Sequence, residues 1–173
     1  MSTMNEIKNT PQKKGLATIR NKKSNTAIHH NSKNINKTAL LSKSHYAEYT
    51  YDNHEKIKRI KTGISKAELT TLKEKIGLDY DQLANILSVS RMTLFKKKGE
   101  DTFDITTSEK LFMLAELYSY GYHVFNNQEK FKNWMLTSNP ALGDISPISC
   151  MDTVYGIMEV KNLIGRIDYG IIS

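Results

Sequence analysis

A chain of 173 residues has room for one domain of moderate size or a small domain with a tail, and none of its apolar runs approaches the roughly 20 residues of a membrane span. The one cysteine, Cys150, excludes an internal disulfide, and the first residues show neither the apolar block nor the cleavage site of a secretory leader, so the expected compartment is a reducing cytoplasm. The net charge of +7 suggests nucleic acid only until it is located: nine of the 25 Lys and Arg (Lys8, Lys13, Lys14, Arg20, Lys22, Lys23, Lys33, Lys37, Lys43) but only Glu6 and Glu48 of the 18 acids lie in residues 1–50, leaving 16 of each sign elsewhere.

Residues 1–50 are rich in Asn, Lys, Ser and Thr, with no sustained period of 2 or 3.6. Such a segment buries too little apolar surface to offset the entropy of ordering, so a disordered basic arm is expected, either holding phosphates nonspecifically or keeping the chain soluble. His29 and His30 have no Cys or acidic cluster near them, and no metal site is expected. Order is predicted to begin at Asp52, which with Glu55 has capping-box spacing before Ile57, Ile60 and Ile64. Ser65 with Glu68 repeats the device before Leu69, Leu72 and Ile76, with Gly77 as a left-handed stop. Asp79 with Gln82 opens a third helix through Leu83, Ala84, Ile86 and Leu87.

A turn, Ser88-Val89-Ser90, then leads into Arg91–Lys98, ended by Gly99. Two short helices joined by about three residues are the helix-turn-helix format. Ala84 is small where the helices approach, Val89 is apolar in the turn, Ser90 can cap the second helix, and Leu94 faces the core. Ser90, Arg91, Met92, Phe95 and Lys96 are then left outward to reach base edges, while Lys97 and Lys98 would meet phosphates. The competing reading is a plain helical hairpin with a solvated lysine face, because lysines stand where the second helix usually buries another apolar residue.

Thr106 with Glu109 is predicted to cap a further helix bearing Leu111, Phe112, Leu114, Ala115, Leu117 and Tyr118. That is too many apolar residues for one stripe, so the helix is expected to be sandwiched, with a second copy of the chain as its other wall and ordinary core burial as the competing account. His123 reads as a packing residue. Asn126 with Glu129 should cap a helix carrying Phe131, Trp134 and Met135 that ends at Asn139-Pro140. In the closing helix Ile157, Val160, Ile164, Ile167 and Ile171 recur at three and four, and Gly156 and Gly165 interrupt it at a cost of about 1 kcal/mol each relative to Ala. Nothing here marks an enzyme. No Gly-rich phosphate loop, His/Cys/acid ligand set or triad is spaced for catalysis, Cys150 reads as buried and inert, and neither cofactor nor metal is expected.

The run Asn139, Pro140, Ala141, Leu142, Gly143 through Ser146-Pro147, then Asp152-Thr153, Gly156, Glu159-Val160, Leu163-Ile164-Gly165-Arg166-Ile167 and Tyr169-Gly170 resembles the C-terminal domain of Xre-type antitoxins of the MbcA/ParS/Xre class. The likeness extends upstream to about Gly63. The tail of residues 1–50 lies outside it; for the rest it implies an all-α chain, with 51–125 an Xre-like helix-turn-helix and dimerisation domain and 126–173 a small toxin-binding domain. It also implies a bacterial, cytoplasmic antitoxin, a homodimer within a toxin–antitoxin hetero-oligomer. The implied partner is a RES-domain toxin that degrades NAD, obstructed at its active site by the C-terminal domain, and the helix-turn-helix would repress the module's own promoter by binding operator DNA. Carried over by position, Leu163, Gly165, Arg166, Asp168 and Tyr169 are expected to face the toxin, and Ser90, Arg91, Met92, Thr93, Phe95 and Lys96 the DNA, with Lys97 and Lys98 beside them. The residues also admit local roles: Arg166 pairing with Asp168 or Glu159, Tyr169 covering the core, Gly165 allowing tight packing within the monomer. A free-standing helix-turn-helix regulator without a cognate toxin is the alternative function.

Overall fold

The computed structural model describes residues 40–41 and 48–171, which fold as helices without a strand element. The expected arm thus lies largely outside the described residues. Helices α1 (Asn53–Thr62), α2 (Lys66–Ile76) and α3 (Tyr80–Leu87) begin at the three capping boxes the spacing predicts, with Asp52, Ser65 and Asp79 each accepting from the backbone three residues on. The reciprocal bonds are present too: Glu55, Glu68 and Gln82 reach back to the cap backbone, at 3.0, 2.9 and 2.9 Å. Gly77 closes α2 at φ 76°, in the left-handed region that costs glycine nothing.

Two later starts fall elsewhere than predicted. Helix α5 (Ile105–Phe125) is capped by Asp104, which accepts from the Thr107 backbone at 2.9 Å and its hydroxyl at 2.7 Å, rather than by Thr106 with Glu109. A carboxylate offers two acceptors to the first turn where a hydroxyl offers one, and Thr107 uses both. Asn126 ends α5 in the left-handed conformation, so its neighbour Asn127 caps α6 (Gln128–Leu136), one residue later than expected. After α6 come two 3-10 turns, Pro140–Leu142 and Pro147–Cys150, and then α7 (Val154–Asp168), capped by Thr153.

The core is built around α5. Leu111, Phe112, Leu114, Ala115, Leu117 and Tyr118 are all buried within the one chain, because α1, α6, α7 and the 3-10 turn Glu48–Thr50 surround the helix. This corrects the expected homodimer wall: the second wall is the chain itself, as the competing account had it. Gly121 permits a close crossing, since a Cβ there would lie 2.2 Å from the Phe131 ring of α6. Phe131 then meets Tyr118 and Tyr122 edge-on, with centroids at 5.3 and 5.5 Å.

Leu40 and Leu41 correct the tail boundary at residue 50. Both are buried in the core; the Leu41 amide donates to Glu48 Oε1 at 2.7 Å, and Lys75 Nζ donates to the Leu41 carbonyl. Tyr49 stacks on Tyr120 and His123, which makes His123 the packing residue it was expected to be. Three ion pairs hold helices together from within: Arg59 with Glu68, and Glu116 of α5 with both Lys56 of α1 and Lys161 of α7, at 2.6 and 2.8 Å. Among the described residues no helix is long and apolar enough to cross a membrane.

Candidate functional sites

Helices α3 and α4 (Arg91–Lys96) are joined by Ser88, Val89 and Ser90, with Ser88 in the left-handed conformation and the Val89 amide on the Ala84 carbonyl at 3.0 Å. Leu94 is fully buried, which fixes the rotation of α4 and turns Met92 (62 % exposed) and Phe95 (46 %) outward beside Arg91 and Lys96. Ser90 and Thr93 are occupied locally: the Ser90 hydroxyl caps the Thr93 amide at 3.1 Å and meets the Thr93 hydroxyl at 2.9 Å. Arg91 reaches both oxygens of Asp81 at 3.0 Å and lies over the Phe95 ring, so it is pre-oriented, not free. Because α4 stops at Lys96 and Lys97 is already extended, no second buried position exists in this helix, and the lysines there break no packing rule. Lys97 and Lys98 stand in the loop that follows, where the Lys98 amide is tied to Asp101 Oδ2 at 3.0 Å.

The second face belongs to α7. Its inner stripe is Ile157, Val160, Leu163 and Ile164; Ile167 and Ile171, expected on that stripe, are exposed, because the helix rolls out past the edge of the core and ends at Asp168. Leu163, expected to face a partner, is 5 % exposed and packs inward, since it lies one turn after Val160 and six residues after Ile157. The other four expected residues are brought together. An open groove of about 510 Å³ is lined by Tyr120, Met158, Lys161, Gly165, Arg166 and Tyr169, and Asp168 adjoins it. Gly165 is no intramolecular necessity, for an added Cβ would meet only the Tyr120 hydroxyl at 3.7 Å. Tyr169 is 82 % exposed and covers no core. Arg166 is held loosely, 4.0 Å from Glu159, while Asp168 accepts from the Tyr120 hydroxyl at 2.8 Å. Partial burial, and then that bond to a carboxylate, push the Tyr120 phenol up to about 12, so it remains a donor at neutral pH.

Two residues of this face were missed in the sequence. Tyr155 (84 % exposed) and Met158 stand on one line with Asn162, Arg166 and Tyr169, at spacings of three and four. The signal was available, since Tyr155 precedes Ile157 by two residues and so lies about 200° around the helix from it, a second apolar edge on a helix read for only one. Cys150 is half-buried rather than buried; its thiol lies 3.7 Å from the Ser146 carbonyl, and burial pushes its pKa up, which disfavours the reactive thiolate.

A family model described as the antitoxin Xre-like helix-turn-helix domain matches residues 55–116, and one described as the antitoxin Xre/MbcA/ParS C-terminal toxin-binding domain matches residues 121–170. The chain belongs to the Xre/MbcA/ParS antitoxin family. It is similar to the protein named antitoxin Xre of Photorhabdus laumondii, 33 % identical over 76 residues, which are 43 % of this chain and 51 % of that one. It is also similar to the antitoxin Xre of Yersinia enterocolitica, 25 % identical over 116 residues, 66 % of this chain and 78 % of that one. The chain thus spans about half the length of the Photorhabdus relative. Within the Xre/MbcA/ParS frame, the helix-turn-helix match ends at Glu116 and the toxin-binding match begins at Gly121, both inside α5.

Proposed function

We propose that this chain is the antitoxin of a two-gene toxin–antitoxin module, with residues 126–173 docking over the active site of a RES-domain, NAD-degrading toxin and residues 51–125 repressing the module through operator DNA. The observation that carries the reading is the exposed line Tyr155, Met158, Asn162, Arg166 and Tyr169, beside an open groove, inside the stretch matched by the toxin-binding model. Large aromatics and an arginine left in solvent along one helix are the composition of a protein interface, where they supply most of the binding energy. Gly165 between them lets a partner backbone approach α7 closely. Exposed Met92 and Phe95, with Arg91 and Lys96, support the DNA-facing role of α4. The chain itself is proposed to have no catalytic role.

Co-expression tests it. The RES-domain protein encoded beside this chain should arrest growth and deplete NAD alone, and the chain should restore both. Arg166→Glu and Gly165→Trp should abolish the rescue while the protein stays folded. Failure of the parent chain to rescue would leave the free-standing regulator.

A further inference from the structure

Lys66 opens α2 and Lys73 follows two turns later on the same face. Both converge on one ring. Lys66 Nζ lies 4.3 Å from the Tyr80 centroid and donates to its hydroxyl at 3.0 Å, and Lys73 Nζ lies 5.1 Å from the same centroid. Tyr80, at the start of α3, leans in turn on Phe95 of α4, with centroids 4.7 Å apart. The two lysines are therefore fixed against the reading helix by a ring stack.

Their partners set them apart. Lys56, Lys161, Arg59 and Arg91 each meet a carboxylate, whereas among the described residues neither Lys66 nor Lys73 has one within 4.0 Å. A π face and a phenol orient an ammonium without cancelling its charge. The bond from Lys66 holds the Tyr80 phenol below its ordinary range, as a positive local field would. Outside residues 1–50 the chain carries equal numbers of acids and bases, and Lys110 too is oriented without a carboxylate, by Ser88 Oγ at 2.7 Å; what distinguishes Lys66 and Lys73 among the described residues is their seat on a ring that leans on α4. Their chemistry fits a phosphodiester backbone, which asks for point charges in register and for no base-specific geometry.

We infer that Lys66 and Lys73, seated on Tyr80, form a phosphate clamp that grips the DNA backbone beside the groove entered by α4. The clamp rests on the reading that the helix-turn-helix meets DNA. It adds α2 as a second contact element.

The test is the salt dependence of binding of the full chain to a fluorescently labelled duplex of random sequence, between about 50 and 200 mM salt, where each neutralised phosphate contributes about 0.9 to the log–log slope. Lys66→Gln with Lys73→Gln should lower the slope by about 2, Lys66→Arg with Lys73→Arg should keep it, and Lys58→Gln with Lys61→Gln on exposed α1 should leave it at the parental value. Melting temperature is read alongside. If the Gln pair loses thermal stability but keeps the parental slope, the stack is structural only and the clamp is wrong. If Arg91→Ala with Lys96→Ala lowers the slope while the Gln pair does not, the clamp alone fails; if neither lowers it, the DNA reading of this face fails with it.

Discussion

Gly156 and Gly165 occupy one helix under opposite demands. A Cβ at Gly156 would fall 1.7 Å from the Cys150 carbonyl oxygen, a backbone atom in the preceding 3-10 turn, so Gly156→Ala must lever α7 off that turn. We expect a loss at or above the top of the ~1–3 kcal/mol typical of overpacking, measurable by urea denaturation. Gly165→Ala meets no such obstacle and should stabilise the helix by up to ~1 kcal/mol. The sequence presents the two alike, as glycines inside an apolar period, because what separates them is a carbonyl six residues before Gly156 whose position depends on the turn at Pro147–Cys150. Leu163 and Tyr155 make the same point. Periodicity placed α7, but the phase of its buried stripe was set by how far the helix runs over α5.

At the scale of elements, the segment ahead of α1 illustrates what composition hides. Leu40 and Leu41 stand in a polar, lysine-rich surrounding and carry no period, yet both are buried, with Lys75 and Glu48 supplying bonds to the Leu41 backbone. Leu41→Ala is expected to cost ~2–5 kcal/mol, the range for a buried leucine, where a residue of a loose arm would cost nothing. Glu48 adds a pH signature. Burial raises its carboxyl above the ordinary 4.5, its Oε2 has no hydrogen-bond partner among the described residues, and neither has Ser119 Oγ. Since the folded state binds this proton more tightly than the unfolded state, the carboxyl favours folding most at low pH and loses that contribution as pH rises through its raised value. Glu48→Gln, which keeps an acceptor for Leu41 and adds a donor, should therefore raise the melting temperature at pH 7. The advantage should vanish at pH 4, where the parent is protonated. Capping boxes, by contrast, are local chemistry, and for that reason α1, α2 and α3 could be read correctly from spacing alone.

Over the whole molecule, one helix serves both family-matched regions. α5 carries Leu111 and Phe112 on the helix-turn-helix side and Tyr118, Gly121 and Tyr122 against α6, while Glu116 is bound at once by Lys56 of α1 and Lys161 of α7. Apolar residues all round α5 announced burial in the sequence, but a period cannot say whether the covering surface comes from the same chain or another. Because the chain covers itself, unfolding should be a single transition. Trp134, the one tryptophan, lies on α6 and reports the C-terminal part by fluorescence, and far-UV circular dichroism reports every helix. Their urea midpoints are expected to coincide; a separate, earlier fluorescence midpoint would show the two regions melting apart.

The sharing of α5 also bears on how such a protein is destroyed. A protease that removed α1, or α6 and α7, would uncover one flank of the helix on which the other elements rest, and the remainder would unravel rather than persist as a working fragment. Proteolysis would then leave no folded half, and under the proposed function the toxin and the promoter would be released in one event.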